Sequence, residues 1–495
     1  MDSVLTYSSA FKTRRFLNWL LMGMTYMMIY MGRYNLNAAS HELEQLYGLS
    51  HSAYAQIGLW GFFVYGVAMI LNGPLADKFG ARKAIMLATA GSAVLNFCIG
   101  YLLFNEWVGK IAVSMAFLYA INMYFQSFIA IAVIKGNAPW FHVKERGVYG
   151  GWFGAILACG YFMALTVGGF ILSYLPLPWV FFIPSAIIGL MFLLDWLFMR
   201  NKPSDAGLED IDPEDATSKE IRGRAEKAMA WLKMQAAHPD RSDSRYLNRL
   251  HLYGLSMKQL LVGRNLEAIK ARTRDVASLA GAVGVAFCEV KPRFFDVLKW
   301  AWSKRVVRRL TYSEFCTGFV RQGIMFWFIL YLANIQAVVK GSLLYNVATL
   351  GVTVGGILGA IICGQLSDKV FGSRRPPVAF IFYAMQAVSL VLLANCTGPL
   401  MASLMIPVLA MWIFGVHGML TGTATMDFGG SRGAATVTGM LDGIQYIAST
   451  ICVFGMGWLM DNFGWTYWAY VLIPFSVAGA LLMLTIWNAR PGHEG

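Results

Sequence analysis

Two arginines stand where hydrocarbon would tolerate them least. Arg33 lies in Tyr26-Met-Met-Ile-Tyr30-Met-Gly-Arg33-Tyr34-Asn35, and Arg321 in Glu314-Phe-Cys-Thr-Gly-Phe-Val-Arg321-Gln322-Gly. Each sits deep in an apolar stretch, where a charge costs about 2.5–3.5 kcal/mol on insertion scales and so needs a partner, a wet cavity or a function. Pairing is one account: Glu314 precedes Arg321 by seven residues and shares its helical face, and Asp442 is a second candidate partner. A cavity is the other. A guanidinium stays protonated and offers a planar bidentate fork of donors, matching phosphate better than an ammonium does. Two forks on one cavity suit an oxyanion, and a dianionic phosphate would offset both charges. Empty, such a cavity would hold unpaired positive charge, which disfavours closure and crossing. That asymmetry would give obligatory exchange a physical basis.

Other polar residues in apolar stretches have two readings each. Asp442 either couples or contacts a substrate hydroxyl, or it pairs with an arginine. Gln126 and Gln445 either reach the cavity or bond between helices. His417 titrates near neutrality, but a packed, hydrogen-bonded ring is the expectation. Gly351, Gly355, Gly356 and Gly359 are expected to allow close helix packing.

The elements that must carry these residues are membrane helices. Of 495 residues, 57% are hydrophobic and only 14% charged, against about 25% charged in a soluble domain. Apolar runs of roughly 18–25 residues recur, each long enough to cross a ~30 Å hydrocarbon core. The expected spans are 16–39, 57–76, 84–104, 111–134, 148–173 and 178–199, then 310–333, 344–366, 377–395, 399–423, 435–460 and 466–488. The expected organisation is therefore an N-terminal six-helix half (1–199), a polar insert (200–309) and a C-terminal six-helix half (310–495). Helical stretches are expected in the insert at Ala225–Gln235 and Met257–Lys270.

The net charge of +13 marks topology rather than nucleic-acid binding. Basic residues crowd the N-terminus, the insert and the loops after spans 2, 4 and 8, whereas the opposite loops hold only Lys110 and Lys340. Both termini and the insert are accordingly expected to be cytoplasmic. The seven cysteines are scattered singly, with neither disulfide nor metal spacing. No nucleophile set, nucleotide loop or cofactor motif suggests an enzyme.

A repeat runs through the chain. Gly73-Pro-Leu-Ala-Asp77-Lys-Phe-Gly80-Ala-Arg82-Lys83 is echoed by Gly364-Gln-Leu-Ser-Asp368-Lys-Val-Phe-Gly372-Ser-Arg374-Arg375, the aspartates being 291 residues apart. Arg33 and Arg321 are 288 apart, and Glu145-Arg146-Gly147 and Ser431-Arg432-Gly433 are 286 apart. Three landmarks at nearly one offset indicate a duplicated six-helix unit, and two parallel halves with a site between them form a recurring transporter architecture. The repeated loop resembles the signature between the second and third helices of the major facilitator superfamily. Its glycines permit a tight turn, so that Asp77 and Arg82, with Asp368 and Arg374, either bridge helix ends as gating loops or serve only as a topogenic charge.

Over nearly all twelve spans the chain resembles one branch of that superfamily, the organophosphate:phosphate antiporters, which include glycerol-phosphate and hexose-phosphate transporters. The resemblance is carried by Tyr30-Met-Gly-Arg33-Tyr-Asn35, Phe125-Gln126, Trp140-Phe-His-Val-Lys-Glu145-Arg146-Gly147, Pro203-Ser-Asp-Ala-Gly-Leu and Phe319-Val-Arg321-Gln-Gly-Ile-Met-Phe-Trp327. Thr436-Val-Thr-Gly-Met-Leu-Asp442-Gly443 resembles the sugar-phosphate exchangers. The resemblance implies a twelve-helix, all-α major facilitator fold in which Arg33 and Arg321 bind the phosphoryl group, and Tyr26, Tyr30 and Tyr65 match cavity tyrosines. It implies an organic phosphate exchanged for inorganic phosphate by alternating access. The lack of a cleavable signal and of long extracytoplasmic loops suits a bacterial inner membrane, and a monomer without cofactor or metal is expected. Two positions depart from it: Met69 stands where members carry a lysine, and Leu157 where they carry a histidine. Both changes make the pocket more apolar and favour a bulkier or less charged substrate. The rival readings are a membrane receptor for a sugar phosphate and a carrier of another organic anion.

Overall fold

A computed structural model of the chain describes residues 7–105, 111–141, 156, 158–211, 299, 302–372 and 374–489, apart from the side chains of residues 73, 74, 77–79, 134, 138, 368 and 422–438. The chain divides into two compact units, and the second, His142–Lys144 with Asp212–Pro292, lies outside the described residues. So do the helices expected within the insert, the stretch Glu145-Arg146-Gly147, and Leu157.

The described residues are helical, joined by short turns and loops. The N-terminal half contains α1 (Ser9–Ala38), the short α2 (Ser40–Tyr47), α3 (His51–Phe79), α4 (Ala81–Phe104), α5 (Ile111–Asn137), α6 (Ala158–Tyr174) and α7 (Trp179–Phe198). The C-terminal half contains α8 (Arg305–Met325), the short α9 (Phe328–Asn334), α10 (Leu343–Gln365), α11 (Arg375–Ala394), α12 (Pro399–His417), α13 (Thr425–Phe463) and α14 (Trp468–Leu484). Ten helical stretches among the described residues are long and apolar enough to cross a bilayer, with α8 and α9 counting as one. Helix α1 and the shorter apolar α6 occupy the places of the first and fifth expected spans. All twelve expected spans thus have a helix.

Boundaries moved for identifiable reasons. Helix α1 begins seven residues before its expected start because Ser8 caps it, its hydroxyl accepting from the Phe11 amide; capping of this kind is worth about 1 kcal/mol. The seventh span is not one straight rod. It breaks at Trp327, between α8 and α9, just beyond Arg321. Helix α6 widens into a π turn at Phe162–Val167, and another π turn, Gly418–Ala424, follows α12 directly after His417. Such turns recur at functional positions.

Packing follows the small residues. A Cβ on Gly359 of α10 would stand 2.0 Å from the Met411 carbonyl oxygen of α12, and one on Gly355 would stand 2.4 Å from that of Pro407. These two helices therefore touch backbone to backbone, as the glycine spacing predicts. Many large apolar side chains remain exposed on the outer faces, among them Phe97, Phe104, Phe117, Phe170, Trp196 and Leu343. In a membrane protein these meet acyl chains rather than water, while backbone polar groups are satisfied within the helices.

Candidate functional site

Arg33 is wholly buried, and its position is fixed by a stack of amides. Its Nε donates to Gln126 Oε1 at 2.8 Å. The carbonyl of the preceding Gly32 accepts from Asn96 Nδ2, Asn122 Nδ2 and Gln126 Nε2 at 3.2, 3.0 and 3.2 Å. The carbonyl of Arg33 itself accepts from the Tyr119 hydroxyl at 3.0 Å. Asn122 and Gln126 are one turn apart on α5, and Ser92 and Asn96 one turn apart on α4, so each pair presents one face to α1. The guanidinium carbon lies 4.5 Å from the centre of the Tyr65 ring and 5.0 Å from that of Tyr30, contacts worth about 2 kcal/mol when desolvated. Tyr26 packs edge-on against Tyr30.

Arg321 is 3% exposed. Its Nη1 lies 3.4 Å from His417 Nε2. From there a polar chain leads away: Gln445 Nε2 is 2.8 Å from His417 Nδ1 and donates to Glu314 Oε2 at 3.0 Å. Glu314 Oε2 is also 3.7 Å from His417 Nδ1. The shared helical face of Glu314 and Arg321 therefore does not produce an ion pair. Seven residues are about 10 Å along a helix, too far for contact, and Gln445 and His417 fill the interval.

One residue joins the two arginines, and sequence reasoning missed it. The Tyr446 hydroxyl accepts from Arg33 Nη1 at 3.4 Å, while the Tyr446 ring lies 5.1 Å from the Arg321 guanidinium carbon. Tyr65 packs on the same ring, centroids 4.3 Å apart. The only available signal was adjacency: Tyr446 follows Gln445 and stands one turn beyond Asp442. Tyr34 and Tyr161 extend the aromatic wall, their hydroxyls 3.1 Å apart. Met69 is buried in the same cluster, so this position brings no cation to the site.

Among the described residues neither guanidinium joins an ion pair, and several donors remain open. Arg33 Nη2, Arg321 Nε and Arg321 Nη2 have no hydrogen-bond partner there, nor do the acceptors Glu314 Oε1, Asp442 Oδ1 and Gln445 Oε1. Among the described residues Asp442 likewise forms no ion pair with an arginine. Of the expected cavity residues, Arg33, Tyr30, Tyr65 and Gln126 meet directly, Arg321 joins through Tyr446, and Gln445 reaches Arg321 through His417.

The repeated loops lie elsewhere. Gly80, at φ +82°, forms the tight turn between α3 and α4. The Arg82 amide donates to Asn201 Oδ1 at 2.8 Å and its guanidinium to the Trp196 carbonyl, tying α4 to the end of α7. Arg374 Nε donates to the Phe371 carbonyl at 3.2 Å. Among the described residues Arg82 thus bonds to the end of α7 and to Asn201 just beyond it, and Arg374 to its own loop; the side chains of Asp77 and Asp368 lie outside those described.

Among the described residues, polar contacts between the halves gather at the end of the bundle opposite the N-terminus. Asp461 accepts from the backbone amides of His51 and Ser52 at 3.0 and 2.8 Å, and His51 Nδ1 lies 2.8 Å from the same carboxylate. A carboxylate from α13 thereby caps α3, where the helix dipole favours negative charge. Lys340 donates to the Ala38 carbonyl at 2.7 Å and pairs with Glu42; burial lowers its pKa, against the pull of Glu42. Asn334 donates to Glu44 at 2.7 Å, and Asn37 to the Met325 carbonyl at 2.9 Å. Hydrogen bonds to a charge contribute about 1.5–3 kcal/mol each. Asp461→Ala is therefore expected to loosen this end at least tenfold. The measurement is labelling of an Ala38→Cys probe by a membrane-impermeant thiol reagent, and an unchanged rate would refute the role of Asp461.

Comparison with known proteins identifies the family. A family model described as Major Facilitator Superfamily matches residues 22–452. The membrane sensor protein UhpC of Salmonella typhimurium is 22% identical, covering 95% of this chain and 90% of its own length. The glycerol-3-phosphate transporter of Bacillus subtilis is also 22% identical, over 87% of this chain and 83% of its own. Among solved structures, a D-xylose-proton symporter superposes with a TM-score of 0.63 at 12% identity, covering 96% of this chain and 98% of that one.

Proposed function

The chain belongs to the major facilitator superfamily, and within it we propose that it carries an organic phosphate across a membrane, in exchange for inorganic phosphate, by alternating access. It is a multi-pass membrane transporter and not an enzyme. One observation carries the choice of cargo. The first helix of each half contributes one buried arginine, the two meet on Tyr446, and three of their donors stay open. Planar donors left open on both arginines fit a phosphoryl group, and no lysine at position 69 is needed to hold it. The names of the relatives, a glycerol-phosphate transporter among them, agree with this chemistry.

In this reading 1–199 and 310–495 rock about the site. Asp77, Arg82, Asp368 and Arg374 steady the helix ends on the N-terminal side, and the Asp461–His51 contacts close the other. The basic loops put the termini in the cytoplasm, and an inner membrane is the expected location. Asp442 and Gln445 line the C-terminal wall, and Tyr26 and Tyr30 the N-terminal one. The aromatic wall of Tyr34, Tyr161 and Phe414 suits the apolar face of a sugar.

Purified protein in phosphate-loaded liposomes is expected to take up labelled phosphate, with phosphate esters competing better than carboxylates. Better competition by carboxylates would replace the cargo. The relationship to a sensor protein supplies the second reading: binding of a phosphate ester without any counterflow would make this chain a receptor.

A further inference from the structure

The loops at the end of the bundle opposite the N-terminus hold only two basic residues, Lys110 and Lys340, so Lys340 has no topogenic part. It is nonetheless drawn in between the two halves. Its side chain is 11% exposed, and its ammonium donates to the Ala38 carbonyl and to Glu42. An ammonium carries three hydrogens, and among the described residues Lys340 uses two. Beside it lies a cavity of about 610 Å³ between α6 of one half and α10 of the other, lined by the polar Lys340, Asn346 and Ser173 and by Phe170, Tyr174 and Leu350. Its size falls within the range of about 300–1,000 Å³ usual for ligand sites.

The two helices touch above and below this cavity. Gly341, at φ +74°, turns the chain into α10 so close to α6 that a Cβ on it would stand 3.0 Å from Ser173 Oγ. About 10 Å along α6, the Thr166 hydroxyl donates to that of Thr349 at 3.0 Å, and the Tyr345 hydroxyl donates to the Leu165 carbonyl at 3.2 Å. Between these contacts the cavity opens outward, where Phe170, Tyr174 and Leu350 are 63%, 74% and 44% exposed. Leu343, Leu350 and Val354 share one exposed face of α10 by their helical spacing. Asn346, one turn from both leucines, interrupts that stripe with an amide, and one of its two hydrogens goes to the Gly341 carbonyl at 3.3 Å.

In a bilayer the exposed stripe meets acyl chains, and Tyr174, at the end of α6, is of a type that settles at the headgroup level. A ligand that fits is therefore apolar along Phe170 and Leu350 and accepts hydrogen bonds at Lys340 and Asn346, each of which has a donor left to give. No carboxylate lines the cavity to repel it. Dissolved phosphate meets only the second condition, and a bare hydrocarbon only the first. We propose that a glycerophospholipid of the leaflet on this side docks here, its phosphodiester on Lys340 and Asn346 and the start of one acyl chain between α6 and α10. Glu42 offsets the charge of Lys340, so the group recognised is the phosphodiester and not a net negative charge, and zwitterionic and anionic headgroups bind alike. The lipid touches both halves at once, which favours the arrangement with this end of the bundle closed. The site does not depend on which cargo is carried.

The test is photolabelling of the full-length protein in detergent micelles by a phosphatidylcholine with a diazirine near the top of one acyl chain, the labelled peptides being read by mass spectrometry. Phe104, exposed at the end of α4 on the same side of the membrane, reports ordinary boundary lipid. Labelling of α6 and α10 is expected to exceed that at Phe104 by about tenfold, roughly what a hydrogen bond to a charge contributes. Lys340→Gln removes the excess and Lys340→Arg keeps it. Leu350→Trp, which fills the apolar part and leaves the bonds of Lys340 in place, also removes it. Unlabelled phosphatidylglycerol competes as well as phosphatidylcholine, whereas diacylglycerol and inorganic phosphate do not compete. Labelling no greater than at Phe104 means boundary lipid only and overturns the proposal. So does an excess that survives Lys340→Gln or Leu350→Trp, or that diacylglycerol displaces, since the phosphodiester is then not what is held. Displacement by inorganic phosphate overturns it by making the occupant a free anion.

Discussion

Replacing either arginine by lysine, as Arg33→Lys or Arg321→Lys, is expected to reduce labelled-phosphate counterflow in liposomes by at least tenfold while leaving the protein folded. The substitution keeps the charge and removes the fork, so it separates the two. At position 33 an ammonium cannot reproduce the Nε bond to Gln126 Oε1 and still direct a second donor at an anion. At position 321 it cannot hold His417 with one nitrogen and present two others. Losing one or two hydrogen bonds to a charged group costs about 1.5–3 kcal/mol each, and each 1.4 kcal/mol is tenfold in binding. If both lysine variants exchange phosphate normally, charge alone suffices and the two-fork site is wrong.

The second large effect is steric. Gly318 of α8 lies against the α13 backbone, where an added Cβ would stand 2.1 Å from the Gln445 carbonyl oxygen and 2.8 Å from Gln445 Cγ. Contacts that short do not relax by a rotamer change, because the first atom belongs to the backbone. Gly318→Ala should push the helices apart at the residue that links His417 to Glu314. Overpacking of this kind costs about 1–3 kcal/mol, and the expected result is a lower melting temperature together with weaker phosphate binding. Gly455→Ala, on the same α13 but with nothing within 4 Å, should be silent or slightly stabilising, since alanine is the better helix former. Equal melting temperatures for the two variants would mean that α8 and α13 are not in close register at Gln445.

What could be read beforehand followed from energy. A guanidinium in an apolar run is conspicuous because few places can hold it, so Arg33 and Arg321 were found at once, and the apolar runs fixed all twelve helices. Tyr446 was not conspicuous. Tyrosine is common in such helices, and only the approach of α13 to Arg33 of α1 and Arg321 of α8 shows that this ring meets both cations. Glu314 was seen as a partner on the correct face, but periodicity fixes direction and not reach, so its bond to Gln445 required the third helix. His417 was expected to be packed and hydrogen-bonded. It is, in contact with Arg321 and Gln445. The break at Trp327 leaves no sequence signal, since neither proline nor glycine marks it.

The glycine contact between α10 and α12 has a mechanical side. Where two backbones touch without intervening side chains there is no soft layer to compress, so the pair acts as a strut that transmits displacement instead of absorbing it. Motion in the C-terminal half must then be taken up where the rods are discontinuous. Two such joints flank the cations' surroundings: the Trp327 break beyond Arg321, and the π turn that starts beside His417. A stiff strut ending in a joint at His417 is a lever whose working end lies next to Arg321.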